Sequence, residues 1–238
     1  MKKYINILTT TLFILIGSFC FAQDTIPKST GDLKYREDQF YIGVTYNIIE
    51  SNTHGVNPEG LSGGVNFGFI RDMPINEKRN LSIGLGAGVS LDQYGSNLFI
   101  YNDNNNNTIY KILSDDDDDT LDYKYNRLQT AIVEAPIELR WRTSTPTSYK
   151  FWRVYLGFRV GYTFWYRSRF KDSNQTLSIT SIPEYEKLRL GTTLSVGYNK
   201  FNFFAYYSLN PFYKNATTLD NQQVDFKTLK LGLVFYIL

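Results

Sequence analysis

The most constraining feature of this chain is an alternation of polar and apolar side chains, residue by residue, between Ile132 and Phe164. A period of two places successive side chains on opposite faces of a β-strand. The stretch contains two such runs, separated by a polar turn. In both runs Val, Leu, Ile, Phe and Trp share one parity. The other parity holds Glu134, Pro136, Glu138, Arg140 and Arg142, and then Arg153, Tyr155, Gly157, Arg159, Gly161 and Thr163.

Both runs are about twice as long as the roughly 5–6 residues of a typical strand in a soluble domain. A transmembrane β-barrel requires this pattern, because lipid covers its outer face and its interior is polar. A soluble lipocalin-like barrel also has eight strands but would turn its apolar face inward. Here the apolar face carries almost no charge and the other face is rich in glycine, which suits a narrow interior. The pattern therefore favours lipid on the apolar side.

The same parity marks eight candidate strands along the chain. The connections after the second, fourth and sixth strands are compact, whereas those after the third, fifth and seventh are longer and more polar. Outer-membrane barrels have short periplasmic turns and long external loops. We therefore predict an all-β fold, an eight-stranded antiparallel transmembrane β-barrel over residues 39–238. The predicted strands span residues 40–48, 61–69, 81–91, 132–142, 153–164, 187–197, 202–209 and 226–238.

The N-terminal residues predict where this barrel is located. Lys2 and Lys3 precede an uncharged run that extends to Phe21 and is followed by Ala22, as in a secretory signal peptide. A transmembrane helix is less suitable, because the run is interrupted by polar and small residues where about 20 apolar ones are needed. We expect residues 1–22 to be the signal peptide and residues 23–38 to form a periplasmic segment. The expected location is the cell outer membrane.

Cysteine content and charge exclude several kinds of chemistry. The single cysteine, Cys20, would leave with the signal, and Phe19 before it is too bulky for a typical lipoprotein signal. Disulfides and thiol chemistry are then not expected. The chain has 25 Lys and Arg against 23 Asp and Glu, and loss of Lys2 and Lys3 would make these numbers equal. This balance gives no reason to expect a nucleic-acid partner.

The predicted lumen carries many charges on three neighbouring strands. An isolated buried charge costs several kcal/mol, so these groups must be paired or hydrated. An Arg–Glu network that fills the interior is one interpretation, and a solute path or a regulated plug is the other. Eight strands leave an interior just wide enough for side chains, which favours the filled lumen. The proposed network comprises Glu134, Glu138, Arg140, Arg142, Arg153, Arg159, Lys187 and Arg189.

Catalysis and metal binding have little support in the sequence. The carboxylates of Asp115–Asp119 could hold calcium through oxygen ligands. A run of like charges is more often a solvated loop tip, and this one lacks the spacing of a defined calcium site. The single histidine, His54, has no nucleophile and orienting partner converging on it in the sequence. We expect no enzymatic activity, no cofactor and no specific metal site.

Several segments resemble the PorT family of the Bacteroidetes, and together they span essentially the whole mature chain. Members of that family are outer-membrane barrels needed for type IX secretion, which exports folded cargo proteins and, in gliding species, surface adhesins. The resemblance implies that role, with other secretion-system membrane proteins and outer-membrane lipids as partners, and brings no catalytic residues. The segments are Tyr35–Tyr41, Gly68–Asn76, Glu134–Arg142, Thr143–Thr147 with Phe151–Tyr155, and Leu231–Leu238.

Two predicted periplasmic connections, residues 71–80 and 143–150, have more varied sequences than a tight turn requires. We hypothesise that both connections contact a periplasmic or membrane partner, the first of them through Arg71, Asp72, Lys78 and Arg79. Alternatively, proline in each turn only rigidifies it. A small-solute channel, in the manner of a porin, is the main competing function.

Overall fold

The computed structural model describes residues 38–103, 105–113, 123–143, 151–199 and 201–237. They belong to the second of two compact units, residues 36–238. The predicted signal peptide and nearly all of residues 23–38 lie outside the described part. Within the described part, no helix is long and apolar enough to cross a membrane. The strands are β1 (Gln39–Ser51), β2 (Gly63–Pro74), β3 (Leu81–Gly95), β4 (Leu98–Asn102), β5 (Thr108–Ile112), β6 (Tyr123–Arg142), β7 (Trp152–Asp172), β8 (Thr176–Ile179), β9 (Leu188–Tyr198), β10 (Phe201–Ser208) and β11 (Phe226–Ile237).

Eight of these strands close into an antiparallel barrel. They follow the order β6-β3-β2-β1-β11-β10-β9-β7, and β6 pairs with β7 to close the cylinder. These are the eight strands that the alternation predicts, so the predicted fold class is confirmed. Closure satisfies the backbone of every strand, which lets a sheet cross a membrane without an unpaired edge.

Four strands are longer than predicted at the external end of the barrel. β6 begins at Tyr123, β7 continues to Asp172, β3 reaches Gly95 and β1 reaches Ser51. The prediction ended these strands where the clear apolar alternation stops. The β6–β7 ladder instead continues past that point, with polar residues on its outer face. The barrel wall therefore rises beyond its apolar belt.

The two faces of the wall have the polarity that the sequence predicts. In β1, Tyr41 is 2% exposed whereas the preceding Phe40 is 62% exposed. The same contrast separates Asn202 in β10, which is fully buried, from Phe203, which is 74% exposed. Large apolar side chains facing outward around a polar interior require lipid outside, which excludes the lipocalin-like alternative.

The periplasmic turn between β2 and β3 is shorter than the predicted connection 71–80. β2 continues to Pro74 and β3 starts at Leu81, so Arg71 and Asp72 are strand residues. Arg79 has a positive φ of 52° within the turn. Residues 144–150 of the second proposed contact lie outside the described residues.

The external connections fold over the mouth of the barrel around an apolar core. The connection after β3 contains the β4–β5 hairpin, and β8 pairs with the external end of β7. The sequence predicts polar loops without strands for both segments, because their apolar residues follow no long alternation. We call this core the external cap. It contains Ile49, Tyr94, Leu98, Ile100, Tyr110, Leu128, Ile182, Tyr185, Phe212, Tyr213, Ala216, Val224 and Phe226.

Glycines in β3 make room for side chains that fill the interior. A Cβ atom added at Gly88 would overlap the hydroxyl of Tyr41 and lie 2.8 Å from the carbonyl oxygen of Phe67. At Gly84 it would lie 2.7 Å from Cδ of Arg140. The predicted small residues therefore mark places where opposing side chains approach the wall.

Replacement of Gly88 by Leu should destabilise the barrel, because the added side chain meets a filled interior. Overpacking costs about 1–3 kcal/mol or more. The control is Ala87→Leu on the adjacent exposed position, which faces lipid and should fold normally. Urea unfolding of the purified proteins, followed by the electrophoretic shift between folded and unfolded barrel, measures both. Equal stability of the two variants would contradict a filled interior.

Candidate functional site in the barrel lumen

Near the periplasmic end of the lumen, one carboxylate holds two arginines. Oδ1 of Asp72 lies 3.1 Å from Nη1 of Arg140, and Oδ2 lies 2.8 Å from Nη1 of Arg142. The Ser82 hydroxyl donates a hydrogen bond of 2.6 Å to Oδ1 of the same carboxylate. All four side chains are fully buried. A single buried carboxylate therefore bridges two arginines of the same strand.

Arg140 also contacts the neighbouring strand β7 and two strands further around the barrel, β1 and β11. Its Nη2 donates to the side-chain oxygen of Gln39. Its guanidinium carbon lies 4.2 Å from the ring centre of Tyr155 and 5.6 Å from that of Tyr236. A cation over an aromatic face gains from the ring quadrupole, most of all when desolvated. Arg140 therefore connects β6 to β1, β2, β7 and β11 across the interior.

A second pair occupies the middle of the lumen. Nη1 of Arg159 lies 2.8 Å from Oε2 of Glu134, and the Ser90 hydroxyl donates to Oε1 at 2.9 Å. The Arg159 guanidinium lies 4.9 Å from the ring centre of Phe204. Oε2 of Glu138, on the same strand as Glu134, lies 3.6 Å from Nε of Arg140 and belongs to the first cluster.

A third pair lies closer to the external cap. Nζ of Lys230 is 2.6 Å from Oδ2 of Asp92, and the Asn47 amide donates to Oδ1 at 3.1 Å. Neither Asp92 nor Lys230 is in the predicted network: Asp92 lies one residue beyond the third predicted strand, and Lys230 lies within the eighth, whose charges that network leaves out. Both residues have the inward parity of their strands. Extending the alternation by one residue would have identified the aspartate.

Two predicted network members form no ion pair among the described residues. They donate hydrogen bonds to strand ends and to the segments that connect strands. Arg189 donates to Ser208 Oγ at 2.8 Å, and its other donors reach two carbonyl oxygens of the β10–β11 connection. Arg153 donates to the carbonyl oxygen of Asn199 and lies 4.2 Å from the ring centre of Phe151. Both arginines are buried and stabilise the ends of strands.

Lys187 does not belong in the lumen. Its side chain is exposed, and β9 begins only at Leu188. The alternation that turns Arg189 inward therefore does not extend to Lys187, and its assignment to the network was wrong.

The four residues proposed as a periplasmic contact are in three different environments. Arg71 is exposed on the outer face of β2, whereas the adjacent Asp72 is fully buried and belongs to the lumen network. Asp72 is therefore unavailable to a periplasmic partner. Lys78 is exposed in the turn and Arg79 is partly buried there.

The burial of the network determines what the lumen can do. A side chain that lines a water-filled pore exposes surface to water, but Arg140, Arg142 and Asp72 are 0% exposed, and Arg159 is 4% exposed. The interior is packed with protein at this level, as the small diameter of an eight-stranded barrel allows. In the part of the chain that the structure describes, no group of three His, Cys, Asp or Glu could hold a metal ion. Asp115–Asp119 lie outside the described residues.

Above the network, the phenols of the external cap remain neutral. Burial raises the pKa of Tyr185 to about 12 and raises the pKa of Tyr213 well above its usual range. The hydroxyl of Tyr110 donates to Glu184 at 3.0 Å. The exposed His54 is held by its backbone, which donates to the side chain of Gln222 in the last connection. The cap thus joins the external connections to one another.

The sequence matches a family model described as "Outer membrane protein beta-barrel domain" over residues 21–214. None of the curated proteins matches this chain. Solved structures of Ail, the attachment invasion locus protein of Yersinia pestis, are similar at 14% and 15% identity. The first covers 84% of this chain and 97% of that chain with a TM-score of 0.36. The second, a complex with the heparin analogue sucrose octasulfate, covers 85% and 99% with a TM-score of 0.33.

Replacement of Asp72 by Asn should strongly destabilise the barrel, because Arg140 and Arg142 would lose their shared carboxylate. Removing one partner of a buried ion pair costs about 3–5 kcal/mol. The adjacent Arg71→Gln removes an exposed charge and should change stability by less than about 0.5 kcal/mol. Urea midpoints of the two variants test this difference. A loss as small for D72N as for R71Q would show that the network is not needed for stability.

Proposed function

The chain belongs to the outer membrane protein β-barrel domain family, and on that premise we propose that it is a non-enzymatic, non-conducting component of the type IX secretion system. In this role it would be required for the export of cargo proteins and, in gliding species, of surface adhesins. Its partners would be other membrane proteins of the secretion system. The barrel itself would act as a rigid membrane element that presents its two ends to them.

The observation that carries this proposal is the composition of the Arg140 cluster. Five of the sequence segments that resemble the PorT family each contribute at least one residue to it. Tyr35–Tyr41 supplies Gln39, Gly68–Asn76 supplies Asp72, and Glu134–Arg142 supplies both arginines. Phe151–Tyr155 and Leu231–Leu238 supply the two tyrosine rings beside Arg140.

This convergence strengthens the resemblance for a physical reason. Barrel composition alone demands alternation, which many sequences satisfy with different lumen residues. A cluster assembled from five separate strands demands particular residues at particular heights in the lumen. The segments that carry the resemblance therefore meet, in this chain, in one cluster at the periplasmic end of the barrel, which supports the proposal.

The packed lumen also favours a role at the two ends of the barrel over transport through it. A porin-like channel requires a hydrated path, and the buried ion pairs occupy the middle and periplasmic levels of the interior. The exposed part of the β2–β3 turn, with Lys78, projects beyond the membrane wall. It is the described periplasmic surface that we assign to partner contact.

Reconstituted in planar bilayers, the intact protein should give no steady single-channel conductance, because its lumen is filled by the ion-paired side chains. D72N should conduct at least in bursts if the network is what closes the interior. An eight-stranded barrel of known channel activity serves as the positive control. Stable open-channel currents from the unaltered protein would favour the small-solute channel instead.

Deletion of the gene in its native host should trap type IX cargo in the periplasm, and the intact gene should restore its release. Cargo at the cell surface and in the medium is measured by immunoblot. Normal cargo release without the gene would refute the proposed function.

Within the same assay, the turn variant Lys78→Glu with Arg79→Asn should leave the barrel folded but reduce cargo release. Asparagine is chosen because it tolerates the positive φ of Arg79. The control, Lys187→Glu with Lys214→Glu, changes two exposed lysines at the external end and should export normally. Equal export by both variants would exclude the turn as a contact.

A further inference from the structure

A β-bulge in β7 reverses the orientation of its side chains at the external edge of the membrane. Ala131 of β6 pairs with Trp165, whereas the next residue, Ile132, pairs with Thr163, so Phe164 is the extra residue. Phe164 and Trp165 consequently both face outward, 59% and 39% exposed. Bulges commonly re-aim the side chains that follow them.

The bulge has a clear effect on charge. On its periplasmic side, Arg153 and Arg159 of β7 point inward and are buried. On its external side, the residues of the same parity, Arg167, Arg169 and Lys171, point outward and are partly exposed. The alternate residues there, including Phe170 at 2% exposure, point inward. Without the extra residue, the three cations would face the interior.

A fourth cation comes from the neighbouring strand. Arg127 of β6 pairs directly with Arg169 in the ladder, and both lie on the outer face. We call Arg127, Arg167, Arg169 and Lys171 the basic ladder. Like charges placed opposite one another on a sheet are destabilising. Among the described residues, no carboxylate is within ion-pairing distance of any of the four.

The arginines of the basic ladder are held by aromatic rings and an amide. The Arg127 guanidinium lies 4.2 Å from the ring centre of Tyr125, and its Nη1 donates to Gln93 at 3.0 Å. Arg169 lies 5.7 Å from the same tyrosine ring, and Arg167 lies 5.3 Å from the ring of Trp165. These contacts fix the side chains while leaving their charges without a counter-ion in the described structure.

The height of the basic ladder identifies its ligand. It begins immediately above the exposed aromatic residues Tyr162, Phe164 and Trp165, and such aromatic belts mark the membrane–water interface. Cations that face outward just beyond the belt are at the level of lipid headgroups. Arginine binds phosphate with paired, charge-assisted hydrogen bonds.

We propose that the basic ladder binds the phosphate groups of outer-leaflet lipids, which seat on the outer face of β6 and β7. The bulge is what makes this site, because it carries three of the four cations from the lumen side to the lipid side. The site is independent of the proposed role in secretion.

Lipid binding to the purified full-length protein in detergent tests this proposal, with native mass spectrometry as the readout. The probes are diphosphoryl lipid A, the same lipid after enzymatic dephosphorylation, and inorganic phosphate as competitor. The test variant is Arg167→Gln with Arg169→Gln. The matched control is Lys187→Gln with Lys214→Gln, which removes two exposed external lysines away from the basic ladder.

The intact protein and the lysine control should bind diphosphoryl lipid A equally, and the arginine variant about 10- to 30-fold more weakly. Dephosphorylation should weaken binding to the intact protein by a similar factor, and inorganic phosphate should not displace the lipid. The proposal would be overturned if the arginine variant bound diphosphoryl lipid A as tightly as the intact protein, or if the lysine control lost as much affinity as the arginine variant. It would also be overturned if dephosphorylation of the lipid left binding unchanged. Displacement by inorganic phosphate would overturn it in favour of a site for free anions.

Folding of each variant is checked by its electrophoretic shift on heating. If the arginine variant fails to fold, Arg127→Gln on the other strand tests the same site and should also weaken binding. Full binding by a folded R127Q would then reject the proposal.

Discussion

The structure depends on one constraint, that a charge inside an eight-stranded barrel has no room for its own hydration shell. Each charged lumen residue must then find partners among the side chains around it, since an unpaired buried charge costs several kcal/mol. Asp72 and Arg140 meet this requirement by reaching across the interior, not only along the wall. The same contacts that neutralise the charges also connect β1, β2, β6, β7 and β11. Closure of the lumen and rigidity of the barrel have one physical cause.

Much of the fold could be predicted because lipid imposes a strict period of two on the sequence. That period gives the strand count, the orientation of each face and the inward position of Arg140 and Glu134. It cannot give the partners, because parity assigns a residue to a face and not to a position opposite another side chain. Sequence analysis expected pairing among neighbouring strands. The Asp72–Arg140 pair instead joins β2 to β6, which are separated by β3.

The external part was less predictable for a different reason. Beyond the apolar belt, lipid no longer enforces alternation, and tertiary packing determines the structure. The external cap is built from apolar residues scattered over several connections, such as Leu98, Tyr185 and Phe212. Their common burial becomes visible only when the strands bring them together. Likewise, the single extra residue Phe164 exchanges the inward and outward faces for all later residues of β7. No local pattern in the sequence marks the position of this bulge.

A filled barrel is also consistent with the more varied sequences of the segments at its two ends. Buried ion pairs occupy the interior, and the outer wall between the aromatic belts needs only to be apolar. The surfaces outside the belts are therefore where we propose specific recognition. On the periplasmic side the exposed Lys78 lies in such a surface, directly beyond the strand whose Asp72 anchors the lumen network. A partner bound at that turn would therefore contact a rigid element, because displacement of β2 would break two buried ion pairs. On the external side, the bulge in β7 has a comparable effect, because it places the cations of the basic ladder on the outer surface instead of in the interior.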